Sequence, residues 1–172
     1  MEIKISRSEI LKGLSLVQSI VERKTTMPIL ANVLFQAKNK NLSITATDLE
    51  VGVNGIFKAE VIKEGTVAIH ARSIYDIVKE LPEDLISLKV VDGNWVEIAC
   101  NKSNFRIVGL SADEFPSLPV KGSGDTRKVE PSLLREMMDK TSFAMSTDET
   151  RYNLNGVLID EAGSKDDKKI RM

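Results

Sequence analysis

Three titratable side chains lie where the sequence could place acid, base or metal chemistry. Asp48 and Glu50 are two positions apart in a strand-like segment, so their carboxylates would face the same side and could form an acid/base pair or hold a cation. His70, the sole histidine, lies between an apolar strand and a helix start. For each residue a structural role is the favoured interpretation: Asp48 serves a turn, Glu50 belongs to a solvated face and His70 marks the entry to the helix.

Other requirements for catalysis are missing from the sequence. A zinc site needs clustered cysteine and histidine, and the chain has one of each, Cys100 and His70. Neither a GxxxxGK(S/T) phosphate loop nor a GxGxxG fingerprint occurs. We therefore predict a protein that is not an enzyme and that needs no cofactor and no metal. A small hydrolase using Asp48, Glu50 and His70 stays as a minor alternative.

Cationic side chains on the polar faces of three predicted helices are a stronger indication of function than the carboxylates and His70. They are Lys12 on the first helix, Arg72 and Lys79 on the second, and Arg135 and Lys140 on the third. Two loops at matching positions add Arg23-Lys24 and Arg151-Tyr152. If the helices lie side by side, these cations form a stripe suited to phosphate contacts. The alternative is ordinary solvated helix surface.

The overall charge limits where such a stripe can arise. Lys and Arg total 24 against 25 Asp and Glu, which gives a net charge of −1 and excludes a bulk basic protein. Positive charge must be gathered on one surface, with the acidic residues on the strands and the outer face. The chain has no run long enough to span a bilayer, no signal peptide and only Cys100, so we expect a cytoplasmic protein without a membrane partner.

Hydrophobic periodicity places the elements that would carry these side chains. Ile10, Leu14, Val17 and Val21 share one face of a first helix, and a second helix covers about residues 72–80. Alternating segments at 86–90 and 96–100 flank an Asp-Gly turn and predict a hairpin. The first 110 residues give about eight short strands, mostly in runs, and two helices. This pattern favours an α+β fold with a largely antiparallel sheet.

The chain also begins to repeat itself. Residues 8–35 and 131–159 both read as an amphipathic helix, a polar stretch and a strand start, and Leu30 matches Leu154 at an offset of 124. We predict a first domain at 1–120, a linker at 121–127 and an incomplete second domain at 128–172. In the second domain we expect a strand at 155–160 and a helix with a buried stripe made of Leu133, Leu134, Met137 and Met138.

Four stretches in register resemble a known family. They are residues 27–34 (MPILANVL), 45–50 (TATDLE), 115–116 (FP) and 151–158 (RYNLNGVL). Together they are similar to the N-terminal part of the bacterial DNA polymerase III β sliding clamp. The resemblance implies the DNA-clamp fold, with antiparallel sheets on the outside and helices on the inner face of a ring. It also implies a processivity factor that encircles double-stranded DNA without reading its sequence and tethers the replicative polymerase.

The resemblance assigns roles to residues of this sequence. Lys24 would be a DNA-contacting cation, Arg72 would begin a channel-side helix, and Arg151, Tyr152 and Asn153 would lie on a loop that touches DNA. Asn153 stands where some relatives have an aromatic residue. Leu154 would belong to the pocket for peptide motifs of DNA polymerase III and clamp-loader subunits. Lys102 and Ile107 would lie on the strand that closes a homodimer ring.

The resemblance covers the first domain and about a third of the second. We therefore expect a truncated clamp that lacks the third domain, cannot close a ring alone and has an incomplete peptide pocket. Residues 128–172 would be loosely packed or ordered only against a partner, because about 45 residues cannot bury a competent core. A short, non-enzymatic protein that binds clamp or clamp-loader subunits is the main alternative.

Overall fold

The computed structural model describes residues 1–21, 27–118, 128–164 and 167–172. The chain divides into two compact units, Met1–Val120 (unit 1) and Lys121–Met172 (unit 2). The predicted linker at 121–127 lies outside the described residues.

The described part of unit 1 contains two α-helices and nine strands. The helices are α1 (Arg7–Val17) and α2 (Ala71–Glu80). The strands are β1 (Glu2–Ser6), β2 (Asn32–Lys38), β3 (Asn41–Thr47), β4 (Gly52–Lys58), β5 (Glu60–Lys63), β6 (Gly65–His70), β7 (Leu85–Val90), β8 (Trp95–Cys100) and β9 (Ser103–Leu110). All nine belong to one sheet in the order β4-β3-β2-β6-β9-β8-β7-β1-β5, and every pairing is antiparallel. The predicted α+β class and the hairpin that joins β7 to β8 are confirmed.

The sheet shows that unit 1 is itself built from two equivalent halves. Each half runs strand, helix and three strands: β1-α1-β2-β3-β4 and β6-α2-β7-β8-β9, with β5 as an additional strand between them in the chain. The first strand of each half pairs with the second strand of the other, as β1 with β7 and β6 with β2. Each half therefore needs the other to complete its sheet, and α1 and α2 pack against each other.

Local sequence explains where these elements begin and what they bury. The Ser6 hydroxyl accepts a hydrogen bond from the Glu9 amide (3.4 Å) and caps α1. Ile10, Leu14 and Val17 are buried as predicted, whereas Val21 is half-buried. Alternation places Ile3 and Ile5 of β1 in the same core, with Lys4 exposed between them. The sheet and both helices share this core.

Unit 2 is much more open. It contains α3 (Pro131–Thr141), two short 3-10 helices (Ser142–Ala144 and Glu149–Leu154) and the antiparallel hairpin β10 (Asp160–Ser164) with β11 (Asp167–Arg171). The predicted strand at 155–160 is wrong, because β10 begins only at Asp160. The predicted burial of the α3 stripe is also wrong: α3 has no buried residue, and Leu133 and Met138 are 51% and 52% exposed. The described part of unit 2 supplies no second layer to cover that face.

No helix within the described ranges is both long and apolar enough to cross a membrane.

Candidate nucleic-acid interface

The residues singled out for acid/base chemistry serve the backbone. The Asp48 carboxylate accepts hydrogen bonds from the amides of Glu50 (2.9 Å) and Val51 (2.6 Å). The bond from Val51 is the main cause that holds the pKa of Asp48 below its ordinary value. The Thr47 hydroxyl closes the same turn through the Leu49 amide (3.0 Å) and the Val51 carbonyl (2.9 Å). The turn interpretation of Asp48 is confirmed.

His70 is likewise structural. Its Nδ1 accepts a hydrogen bond from the Ser73 amide (3.3 Å) and lies 3.0 Å from the Ser73 hydroxyl, which caps the first turn of α2. Asp48, Glu50 and His70 do not form a cluster: the described part of the chain has no group of three or more metal-ligating side chains placed to hold an ion.

The two helices of unit 1 present cations away from the core. Lys12 is exposed on the side of α1 opposite the buried Ile10, Leu14 and Val17. Arg72 and Lys79 are exposed on α2 and are seven residues apart, which is about two helical turns or ~10.5 Å along the axis. Because α1 and α2 are in contact, these three side chains belong to neighbouring solvent-facing surfaces of one unit. We call them the helix cations.

Acidic residues share the helices with these cations. Lys12 Nζ lies 2.8 Å from Glu9 Oε1, and Arg72 Nε lies 3.7 Å from Asp76 Oδ2. The expectation that acids sit on strands and the outer face is therefore wrong for both helices. The hydrogen bond to Glu9 raises the pKa of Lys12 and so favours its ammonium form further. Such exposed pairs contribute little stability, so a phosphate can replace the carboxylate at small cost.

Unit 2 carries the remaining described candidates. Arg135 and Lys140 are exposed on α3, and Lys140 Nζ lies 2.6 Å from Glu136 Oε1. Arg151 is exposed in the 3-10 helix Glu149–Leu154, with Nε 3.6 Å from Asp148 Oδ2.

The last positions of that 3-10 helix differ in what they present. Asn153 is exposed and Leu154 is half exposed. The Leu154 carbonyl accepts a hydrogen bond from the Ser146 amide (2.9 Å). This bond brings the two ends of residues 146–154 together as a closed loop. The backbone of Tyr152 lies in the same 3-10 helix. Lys24 falls outside the described residues.

One strand of unit 1 has an edge that is only partly paired. β9 pairs with β8 at residues 103–108, and with β6 only at Gly109 and Leu110. Among the described residues, the other edge of residues 103–108 therefore has no neighbouring strand, and Phe105 is 41% exposed there. Ile107 lies on this strand and is half-buried opposite Val96.

One correction and one additional residue follow at this edge. Lys102 is not on the strand, because β9 begins at Ser103 and Lys102 lies in the turn that follows β8. Phe105 was not singled out as a site residue. An aromatic residue in a strand usually indicates core, and its exposure becomes visible only when the unpaired edge is known.

Known proteins share this fold and sequence. Residues 1–119 match the family model of the DNA polymerase III beta subunit, N-terminal domain. The chain is 40% identical over 162 residues to the beta sliding clamp of Pseudomonas putida, covering 93% of this chain and 44% of that protein. It is 36% identical over 173 residues to the beta sliding clamp of Caulobacter vibrioides, covering 99% and 46%.

Solved structures agree with the sequence matches. The Caulobacter crescentus pol III beta structure superposes with a TM-score of 0.90 at 36% identity, covering 99% of this chain and 46% of that one. The beta subunit from Pseudomonas aeruginosa gives a TM-score of 0.86 at 38% identity, covering 94% and 44%. The chain thus spans a little under half the length of these relatives. With its first 119 residues matching the family model and its fold matching those structures, the chain belongs to the DNA polymerase III beta subunit family.

Proposed function

We propose that this chain provides part of a DNA sliding clamp, a processivity factor that surrounds duplex DNA and tethers the replicative polymerase in the cytoplasm. The relatives named beta sliding clamp support this function. The proposed role is mechanical and not catalytic: the protein binds the outside of the duplex and breaks no bond. Residues 1–120 would be the first clamp domain and residues 128–172 part of the second.

The helix cations are the observation on which the proposal rests. Lys12, Arg72 and Lys79 are exposed on two helices that pack side by side. Contacts from such side chains to phosphates hold a duplex without reading base edges, so the contacts are equivalent at every position along the DNA. Pairing with acids on the same helices weakens the contacts of Lys12 and Arg72, which suits a protein that must move along its ligand.

Further residues would extend this interface. We propose that Lys24, Arg135, Lys140, Arg151, Tyr152 and Asn153 also contact the duplex. Leu154 would contribute to a pocket for peptide motifs of DNA polymerase III and clamp-loader subunits. The partly paired β9 edge, with Ile107 on the strand and Lys102 beside it, would join another subunit to close a homodimer ring by adding a strand.

Neutralising the helix cations tests the DNA-binding role. A variant with Lys12→Ala, Arg72→Ala and Lys79→Ala is compared with one carrying Lys4→Ala, Lys38→Ala and Lys89→Ala, which removes the same charge from exposed strand positions. Fluorescence anisotropy with a labelled random-sequence duplex gives affinity at several salt concentrations. We expect the helix variant to lose about 2.7 units of the log–log salt slope, which corresponds to a loss of several hundredfold in affinity at about 0.1 M salt.

The strand variant is the matched control. It should keep most of the wild-type salt slope, because its lysines lie on strands and not on the helix faces. Equal losses in the two variants would show that only net charge matters and would remove the helix faces from the proposed interface.

A further inference from the structure

Two residues outside the proposed contact set connect α1 to α2. Arg7, the first residue of α1, reaches the end of α2: its Nε donates to the Val78 carbonyl (3.1 Å) and its Nη2 to the Lys79 carbonyl (2.7 Å). Its Nη1 donates to Glu83 Oε2 (2.8 Å). The side chain is only 21% exposed. The first residue of one helix therefore supplies the cation that caps the last turn of the other.

Glu83 makes the return connection. It follows α2 by three residues, and its Oε1 accepts a hydrogen bond from the Ser8 amide (3.1 Å) in the first turn of α1. Its carboxylate thus satisfies an amide at the positive end of α1, while Arg7 satisfies carbonyls at the negative end of α2. We call these four hydrogen bonds the Arg7–Glu83 bridge.

The geometry of the bridge fixes position more than it adds stability. Glu83 is 61% exposed, and exposed ion pairs contribute little to folding. A planar guanidinium, however, donates in fixed directions, and here three of its nitrogens are used on three separate acceptors. Sliding or rotating α2 against α1 would break several of these bonds together. One acceptor is the carbonyl of Lys79, a helix cation.

The charge state of the bridge suits this role at neutral pH. The hydrogen bond from Arg7 is the largest cause that holds the pKa of Glu83 below its ordinary value. A glutamate is ionised at neutral pH even at its ordinary pKa, and the shift extends the ionised range of Glu83 toward lower pH.

We propose that Arg7 and Glu83 are positioning residues that set the relative placement of α1 and α2, so that Lys12 and Lys79 reach phosphates of one duplex together. This inference rests on the proposed DNA-binding function. Neither residue is proposed to touch DNA. Their effect is exerted through the helix ends that they join.

The sign of one substitution separates positioning from simple charge. Glu83→Gln removes an acidic charge near the helices, and electrostatics alone would therefore strengthen DNA binding. If Glu83 positions the helices, Glu83→Gln instead weakens binding by about threefold, as expected when a phosphate contact becomes less well aligned. Glu80→Gln is the matched control, because it removes the same charge from the exposed last turn of α2 and leaves the bridge intact; it should strengthen binding.

A second measurement tests the bridge without DNA. Trp95, the single tryptophan, lies in unit 1, so its fluorescence reports urea unfolding of that unit. A double-mutant cycle of Arg7→Met and Glu83→Gln should give a coupling of about twofold to fivefold in the unfolding constant. The same curves establish that each variant is folded in the binding assay.

The outcomes distinguish the two proposals. Weaker binding for Glu83→Gln, stronger binding for Glu80→Gln and a measurable coupling support the positioning role. Equal strengthening by both substitutions, or no coupling, overturns it and leaves the DNA-binding function standing. If the wild-type chain shows no salt-dependent binding to duplex DNA at low salt, the proposed interface fails and the positioning role fails with it, while the cycle still decides whether the bridge couples the helices.

Discussion

Replacing Gly109 by alanine is expected to destabilise unit 1 by about 3 kcal/mol, at the upper end of the usual cost of overpacking. A β-carbon at this position would lie 2.7 Å from Val67 Cγ2, 2.8 Å from the Asn94 carbonyl oxygen and 3.0 Å from the Ala68 carbonyl oxygen. Two of these three atoms belong to the backbone, so a side-chain rotation cannot relieve the contact. The strands themselves would have to separate.

The position of Gly109 explains why the cost should be large. β9 pairs with β8 up to Val108 and with β6 at Gly109 and Leu110, so Gly109 lies where the strand passes from one neighbour to the other. Residue 109 is opposite Ile69 of β6, the first strand of the same half of unit 1. Moving β9 outward at this point would weaken the β6–β9 pairing, which joins strands β4-β3-β2-β6 to strands β9-β8-β7-β1-β5 in the sheet.

Urea unfolding followed by Trp95 fluorescence measures the effect, since Trp95 pairs with Val108 beside the substitution. The control is Gly156→Ala in unit 2, where an added β-carbon meets no atom within 4 Å. This control should change the free energy of unfolding of unit 1 by less than about 0.5 kcal/mol. A Gly109→Ala curve that overlays the wild type would show that the sheet adapts at this point.

Gly13 shows what local sequence patterns can and cannot predict. Periodicity correctly places Ile10, Leu14 and Val17 on the buried face of α1, because helix period and side-chain polarity are both local. On propensity alone a glycine within that helix is a defect of about 1 kcal/mol. In the fold, a β-carbon on Gly13 would lie 2.6 Å from Ile44 Cδ1 and 2.7 Å from Phe57 Cε2. The absence of a side chain at Gly13 therefore lets α1 pack closely against β3 and β4. Those neighbours are 31 and 44 residues away, and no local pattern identifies them.

The candidate site likewise has one part that the sequence predicts and one part that it does not. The exposed positions of Lys12, Arg72 and Lys79 followed from helix periodicity. Their acidic partners Glu9 and Asp76 stand at i,i+3 and i,i+4 spacing, so helix spacing alone indicates both ion pairs. The Arg7–Glu83 bridge could not be predicted, since it joins residues 76 positions apart that only the sheet topology brings together.

The predicted burial of the α3 stripe is wrong for a different reason. Leu133, Leu134, Met137 and Met138 form an apolar face at helical spacing, but spacing predicts only that a face seeks burial. Whether it is buried depends on a second layer, which the described residues of unit 2 do not provide. In unit 1 the same pattern correctly predicts burial, because the sheet packs against the apolar faces of both α-helices.

Asn32→Asp is the second change with a large expected effect. Asn32 is 5% exposed, and its Nδ2 donates to the carbonyls of Pro28 (3.0 Å) and Ile29 (3.1 Å), which ties the 3-10 helix Pro28–Ala31 to the start of β2. The substitution keeps the shape but replaces a double donor by a carboxylate that faces two carbonyl oxygens. A buried charge left without a partner should reduce the free energy of unfolding by about 3 to 5 kcal/mol at neutral pH.

The pH dependence of N32D separates charge from the loss of hydrogen bonds. Burial among carbonyl oxygens raises the folded-state pKa of the new carboxyl above its unfolded value, so the folded state binds the extra proton first. Stability therefore rises as pH falls through the folded-state pKa, because the protonated acid can donate to one of the two carbonyls. It stops rising below the unfolded-state pKa, where both states carry the proton. Asn32→Leu, similar in size and uncharged, should lose about 1 to 3 kcal/mol at every pH.

Urea unfolding of both variants from about pH 8 to about pH 4 separates the effect of charge from the loss of hydrogen bonds. This range is suitable because the interval between the folded and unfolded pKa values lies at or above the range of an ordinary aspartate. If the free energy of unfolding depends on pH in the same way for N32D and N32L, water reaches the carboxylate. Asn32 would then not be the solvent-excluded donor that its burial and two hydrogen bonds indicate.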